Sequence, residues 1–329
     1  MRKNARVKIG ISTYNDRGFL ELILQSIDWY TFLDEKFDVV VCDDGSLQEY
    51  KNSTKELCAR FGATYIEHEE NLGIPATWNH LTLSLNNDAE IIVLLNNDLL
   101  MPPDWLRVAV HFLDANKDNP HVGSCFWNPV NQVPMEAMRG WLPTLNHTTF
   151  VTTDRLTGNQ RDFIGSSPMN QRVGENQGLG RVMCPCGCCF AFRREVFEEV
   201  GLFDERLKSF HEESDWGTRC ASKGRASFGF AYPRPYHGVG QTFGANPELK
   251  SGNRMAASRS LYRQIWNVPE EVGPHDYFDY VNKQLMPSIP TTKLKYLRPN
   301  YNVEADEITR ASDSAKIMVP HLEELEEEF

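Results

Sequence analysis

Three groups of polar and acidic residues recur along the chain: Asp43-Asp44-Gly45-Ser46, Asn96-Asn97-Asp98 and Glu212-Glu213-Ser214-Asp215. Carboxylates brought to one place can hold a divalent cation, take a proton from a nucleophile, or accept an N–H from a nucleobase. The first two groups close runs of aliphatic and β-branched residues, Phe37 to Cys42 and Glu90 to Leu95, so each stands at the carboxyl end of a strand. Open α/β sheets bind their ligands there. The third group follows a glycine-bearing apolar stretch and precedes His237, so acid, metal and base functions can be assembled from these residues.

The elements that must position them follow from hydrophobic periodicity. Val7 to Ser12 reads as a buried strand and Gly18 to Trp29 as a helix carrying Phe19, Leu22, Ile23 and Ile27 on one face. Phe37 to Cys42, Ala63 to Glu67 and Glu90 to Leu95 read as strands, with helices over Leu47 to Phe61 and Ile74 to Leu85 between them. This alternation predicts an α/β fold whose mostly parallel sheet is flanked by helices. Beyond Asp98, a helix carries Trp105, Val108, Val110 and Phe112, and Val122 to Trp127 is a further strand. The pattern dissolves from Asn128 to Arg181 and returns as a strand over Val182 to Arg193, then helices over Arg194 to Val200 and Ser214 to Lys223. Helical pieces follow at Met255 to Trp266 and Tyr277 to Leu285, and the acidic tail Pro320 to Phe329 reads as a short helix or a frayed end.

A chain of 329 residues can bury a full core. Its net charge of −11 argues against a surface built for indiscriminate binding to phosphate backbones. No stretch approaches the roughly 18 apolar residues that a membrane span needs, and no integral membrane segment is expected. The amino terminus runs from Met1-Arg2-Lys3-Asn4-Ala5-Arg6 straight into the first strand, so a cytoplasmic location is expected. The scatter of Cys42, Cys58, Cys125 and Cys220 through regular elements suits reduced, packed thiols.

Taken in order, the motifs resemble those of the GT-A fold, family 2 glycosyltransferases, and within them the rhamnosyltransferase-like branch. The resemblance rests on Ile11-Ser12-Thr13-Tyr14-Asn15, Asp43-Asp44-Gly45-Ser46, Glu70-Asn71-Leu72-Gly73 with Asn79 six residues on, and Leu95-Asn96-Asn97-Asp98. It continues through Gly187 to Phe197, Gly201-Leu202-Phe203-Asp204-Glu205, Glu212 to Asp215 and His237. The match spans about residues 7 to 243. It implies a GT-A domain over 1–244, with a nucleotide-binding half at about 1–127 and an acceptor-binding half at about 128–244, and a helical extension with an acidic tail over 245–329.

The resemblance also implies roles. Ser12, Thr13, Tyr14, Asp43, Asp44, Gly73, Asn79 and Asn97 would bind the nucleotide, with a strand-end carboxylate accepting a uracil or thymine imide N–H and an aromatic ring stacking on the base. Asp98, at the second Asp of the family's DxD motif, would hold Mn²⁺ or Mg²⁺ against the diphosphate, with Asn97 as a neutral helper and His237 as a further ligand. Glu213 takes the place of the family's catalytic aspartate, although the longer side chain leaves Glu212 as an alternative base, and Asp215 would orient the acceptor or cap its helix. The implied reaction is metal-dependent, inverting transfer of a sugar from a UDP- or dTDP-sugar to a hydroxyl on a glycan, a lipid-linked sugar, a protein or a modified nucleobase.

Two rivals remain open: a nucleotidyltransferase, which needs a glycine-rich basic loop after the first strand, and a non-catalytic nucleotide- or sugar-binding module. Trp141, Arg139, His147, Arg155, Arg161 and Arg172 suit acceptor contacts. The run Cys184-Pro185-Cys186-Gly187-Cys188-Cys189 is expected to pack and not to hold zinc, since strand alternation sends neighbours to opposite faces. Oligomeric state is open, with residues 245–329 as the place for a homo-oligomeric interface.

Overall fold

The strand β1 (Val7–Thr13) is buried along its whole length, so it must be covered on both faces and lie inside a sheet. A computed structural model, describing residues 5–84, 89–142, 163–164, 171–172, 178–249, 251–273, 276–299 and 322–329, places it there. Flanking it in parallel are β2 (Phe37–Asp43) and β4 (Ile91–Asn96), and β3 (Thr64–Glu67) extends the sheet beyond β2. Parallel neighbours need crossovers. These are α1 (Phe19–Tyr30), α2 (Gln48–Phe61) and α3 (Ile74–Ser84). The register sets Ser12 beside both Cys42 and Asn96, so the polar ends of the three strands share one edge.

The chain continues through β5 (Leu99–Leu100), α4 (Trp105–Ala115), β6 (Val122–Trp127), β7 (Val130–Asn131), α5 (Met135–Trp141) and the paired β8 (Phe163–Ile164) and β9 (Gln171–Arg172). Then come β10 (Leu179–Val182), β11 (Cys189–Arg193), β12 (Ala226–Phe230) and β13 (Tyr236–His237). The main sheet has the order β10-β12-β6-β11-β4-β1-β2-β3, in which β10 and β11 run against the others. The expected mostly parallel α/β sheet is therefore present. Because β11 is reversed, its first residue, Cys189, pairs with Leu95 near the end of β4. The turn before β11 thereby joins the polar edge.

The single strand expected over Val182 to Arg193 is two strands, β10 and β11, with a turn over residues 183–188. Pro185 lacks an N–H for a ladder, and Gly187 in the same turn has no side chain to pack in a strand. β12 escaped the sequence pattern because its five residues, Ala-Ser-Phe-Gly-Phe, include a glycine and follow a helix closely. Within the stretch read as irregular lie α5 and the short strands β7 to β10.

A second small sheet, in the order β5-β13-β7, matters most for the site. It sits on an apolar cluster of Phe19, Leu22, Tyr30, Leu100, Val130, Val133, Met138, Leu142 and Tyr236. β5 starts directly after Asp98, and β13 pairs His237 with Leu99 on one side and Asn131 on the other.

The acidic tail is neither helix nor frayed end. Leu322–Glu328 forms β15, antiparallel to β14 (Lys293–Pro299). The partner explains it: Lys293 faces Glu328, Lys295 faces Glu326 and Arg298 faces Glu323, so opposite charges meet across the ladder. Phe329 packs on Phe228 and on the buried Tyr296. Removing residues 322–329 is expected to cost on the order of 3 kcal/mol, from the lost cover of Leu294 and Tyr296 and the partial burial of three apolar side chains. A truncated chain that melts with the full one would show that β15 contributes nothing.

Candidate active site

At the strand edge, Asn97 donates through Nδ2 to Thr13 Oγ1 at 3.2 Å and to Asp16 Oδ1 at 2.7 Å. Asp16 also accepts from the backbone N–H groups of Gly18 and Leu20, fixing the start of α1. Asn15 accepts from Leu47 N–H at 2.9 Å and donates to Asn246 Oδ1 at 2.8 Å, tying this loop to the region that follows His237. Asn15 closes the first motif but was given no role there, and Asp16 was not among the expected site residues. The signal for Asp16 was an Asp two residues before a glycine that opens a helix, an ordinary capping pattern.

Asp43 and Asp44 differ in their surroundings. Asp44 accepts from Leu72 N–H, Gly73 N–H and Asn71 Nδ2, each at 2.9 Å, and meets His68 Nδ1 at 2.8 Å. Its carboxylate therefore builds the 68–73 turn, which walls the edge beside β2. Gly73 is needed in that turn: its φ is +98°, and an added Cβ would lie 2.3 Å from Lys208 O. Asp43 accepts from Ser46 N–H at 2.8 Å through Oδ1, while its buried Oδ2 has no hydrogen-bond partner among the described residues. Burial raises its pKa, partly offset by Ser46. Asn79 bonds Phe203 O, Phe203 N–H and Glu205, which places it as a brace between α3 and the 203–205 loop. Ser12 is buried and Tyr14 half-buried beside this edge.

Asp98 and His237 come together. Asp98 Oδ1 lies 3.3 Å from His237 Nε2, and Asp98 O accepts from Gly238 N–H at 2.9 Å. His237 Nδ1 meets Asn131 Oδ1 at 2.9 Å, so Nδ1 carries the hydrogen and Nε2 faces the carboxylate. Burial works against the imidazolium, yet attraction to Asp98 leaves the pKa of His237 raised. A carboxylate oxygen and an imidazole nitrogen, oriented from behind by an amide, suit Mn²⁺ and to a lesser degree Mg²⁺. Asn131 had no sequence signal, since it lies on a two-residue strand.

The helix Glu212–Ser222 carries the acids in its first turn. Glu213 lies over Gly187, where an added Cβ would meet its Cδ at 3.0 Å. Gly217 in the same helix is forced by contact: a Cβ there would lie 2.6 Å from Cys184 Cα. Asp215 is engaged elsewhere, accepting from Arg219 Nε at 2.8 Å and from Trp266 Nε1 at 3.1 Å. It fastens the acid helix to the helix Ser251–Ile265, and Thr218 meets Tyr262 OH at 2.8 Å on the same contact. Residues beyond 245 thus cover the acid helix.

Glu212 is buried, and its Oε2 has no hydrogen-bond partner among the described residues. Burial first, and the neighbouring Glu213 second, push its carboxyl well above the usual range. Glu212 then keeps its proton in the folded chain where the unfolded chain has lost it. Wild-type stability must fall as pH rises from the unfolded value of about 4.3 toward the folded one. Glu212→Gln removes that loss, so its melting temperature is expected to gain on wild type progressively across this window. A constant offset from about pH 4 to pH 8 would mean that Glu212 ionises without penalty.

Cys184, Cys186, Cys188 and Cys189 are buried and free, as expected, but their sulfurs do not alternate between faces. Cys188 Sγ lies 3.4 Å from both Cys186 Sγ and Cys189 Sγ. Neighbours converge here because residues 183–188 form a turn and strand alternation does not apply. The premise that set zinc aside is therefore corrected. Of the residues proposed for acceptor contact, Arg139 lies on α5 with its guanidinium against Gly18. Trp141 is on the same helix, Arg172 is on β9, and His147, Arg155 and Arg161 lie outside the described residues.

The family described as glycosyl transferase family 2 matches residues 8–201, which carry the strand-edge motifs and the turn beneath Glu213. This chain belongs to glycosyl transferase family 2. No curated protein matches the sequence. Among solved structures, the mannosyltransferase PcManGT from Pyrobaculum calidifontis, in complex with GDP-Man and Mn²⁺, is 17% identical with a TM-score of 0.52, over 96% of this chain and 77% of its own. GalNAc-T7 with UDP, GalNAc and Mn²⁺ is 14% identical with a TM-score of 0.52, over 72% of this chain and 44% of its own. TarS of S. aureus is 15% identical with a TM-score of 0.50, over 85% of this chain, which spans only 43% of that one. At these identities the likeness is one of fold, and it places this family 2 member among GT-A structures.

Proposed function

We propose that this family 2 glycosyltransferase is a metal-dependent, inverting enzyme that moves a sugar from a nucleotide diphosphate to an acceptor hydroxyl. The observation that carries the reading is the meeting of Asp98 and His237, from distant parts of the chain, at the strand edge that also holds Thr13 and Asn97. The Mn²⁺ complexes of PcManGT and GalNAc-T7 support a metal at such a site.

In this reading Asp98 and His237 hold Mn²⁺ or Mg²⁺, which when bound offsets the negative charge that develops on the departing diphosphate. Thr13, Asn97 and Tyr14 line the nucleotide's place, and Asp44 shapes it by holding the 68–73 turn. Glu213 accepts the proton of the acceptor hydroxyl while that oxygen bonds to the anomeric carbon from the face opposite the diphosphate. The bond from the anomeric carbon to the diphosphate oxygen breaks, and its electron pair leaves with the diphosphate. Glu212, which holds a proton, lets the pair carry a single charge for this task.

UDP or dTDP is the expected nucleotide, within the rhamnosyltransferase-like branch, and residues 1–244 form the catalytic domain with 245–329 as its cover. The acceptor hydroxyl belongs to a glycan, a lipid-linked sugar, a protein or a modified nucleobase. No helix among the described residues is long and apolar enough to cross a membrane. A cytoplasmic setting is supported by eight cysteines that all stand free.

Calorimetry of nucleoside diphosphates and their sugars, with and without Mn²⁺, tests the reading, followed by NMR assignment of the product's anomeric configuration. Metal-dependent binding of one nucleotide and an inverted product are expected. Absence of nucleotide binding under both conditions would overturn it, and a product of retained configuration would overturn the inverting step.

A further inference from the structure

Behind the nucleotide wall lies a second cluster of metal-binding atoms, separate from Asp98 and His237. Cys42 comes from β2, His68 from the turn after β3 and His80 from α3. His68 Nε2 is 2.9 Å from His80 Nδ1, His80 Nδ1 is 3.9 Å from Cys42 Sγ, and the three donor atoms all lie within 4.8 Å of one another. We propose that Cys42, His68 and His80 form a site for a zinc-class transition metal, with Asp44 orienting His68 from behind. This inference does not rest on the transfer reading.

The chemistry of the donors favours that class. One thiolate and two imidazoles suit Zn²⁺, Co²⁺, Ni²⁺ or Cu²⁺, whereas Mg²⁺ and Mn²⁺ want oxygen. Tetrahedral zinc, with bonds of about 2.0–2.1 Å to nitrogen and about 2.3 Å to sulfur, sets its ligand atoms about 3.4–3.6 Å apart. The His68–His80 separation must open by a few tenths of an ångström and the His80–Cys42 separation must close by a similar amount. Both are within reach of side-chain rotation.

Asp44 supplies the second argument. Its Oδ1 lies 2.8 Å from His68 Nδ1, which fixes the hydrogen on that nitrogen and leaves the Nε2 lone pair pointing into the cluster. A carboxylate behind a ligating histidine is the usual outer support of a metal site. His80 bonds His68 through Nδ1 and shifts its hydrogen to Nε2 on ligation, a tautomer change with no net proton. Cys42 is buried and binds as the thiolate: on ligation its S–H bond breaks, the sulfur's electron pair goes to the ion, and the proton leaves to solvent. His80 is half-exposed and gives the ion its way in. Occupancy would join β2, α3 and the 68–73 turn at one point.

The test is titration of chelator-treated, tag-free full-length protein with Co²⁺, reading the near-ultraviolet sulfur-to-cobalt charge-transfer band and calorimetric stoichiometry. One ion per chain is expected to bind with that band; an ion held by Asp98 and His237 has no sulfur ligand and adds to the calorimetric count without adding to the band. Cys42→Ser is expected to abolish the band, and His80→Ala, a change at a half-exposed position, to weaken affinity by about 100-fold or more. Asp98→Ala and Cys186→Ser are expected to leave the band in place. Melting of each variant without metal controls for folding. No band with wild type, or a band that survives in His80→Ala at unchanged affinity, overturns the proposal. A band lost in Cys186→Ser would move the ion to the three-thiol cluster and overturn it equally.

Discussion

Glu213→Gln is expected to lower the transfer rate by about 10²- to 10⁴-fold, the usual contribution of a positioned general base. The amide keeps the shape of the side chain that packs over Gly187, so the turn beneath it need not move. What the substitution removes is the capacity to take the acceptor proton. The loss should therefore fall on kcat, with donor affinity, measured by calorimetry, held within about twofold. Glu212→Gln under the same assay separates the two carboxylates. If its turnover falls further than that of Glu213→Gln, the base is Glu212, the alternative that the family resemblance left open. Equal activity of Glu213→Gln and wild type would leave Glu213 without a catalytic role.

Asp98→Ala is expected to abolish the metal-dependent part of donor binding, a loss of about 100-fold or more in nucleotide affinity measured with Mn²⁺ present. His237 lies 3.3 Å from Asp98 and is oriented by Asn131, so removing the carboxylate leaves one neutral nitrogen where the pair stood. A single imidazole is a poor site for a hard cation. Without metal, wild type and variant should bind nucleotide alike, because Thr13, Asn97 and Asp44 are untouched. Retention of the full Mn²⁺ effect in Asp98→Ala would place the ion elsewhere, and the electron paramagnetic resonance signal of free Mn²⁺ gives an independent count of bound ions.

The places of Asp98 and Glu213 in the chain were legible because each follows or opens an element with a plain hydrophobic period, while their roles rest on the family resemblance. Their geometry was not. Asp44 was expected to meet a nucleobase, yet its carboxylate is surrounded by donors from residues 68–73. Asp215 was expected near the acceptor and instead bonds Arg219 and Trp266. In both cases the partner comes from a segment whose position depends on packing, and residue type alone cannot tell a carboxylate that builds the wall from one that faces the ligand.

The sequence by itself determined the alternation of strands and helices from residue 7 to Trp127 and the delivery of Asp43, Asp44, Asn97 and Asp98 to strand ends. Periodicity is a local property, set by which face of an element is buried, so it survives without knowledge of partners. Tertiary structure decided the pairings. It reversed β11 between β4 and β6, split the cysteine-rich run so that three sulfurs converge, and turned the acidic tail into a strand against Lys293 and Lys295. It also brought His237 to Asp98, by seating a two-residue strand between β5 and β7. A strand of two residues has no period to read. Its place is set by the hydrogen bonds and apolar contacts of chain segments far away in sequence.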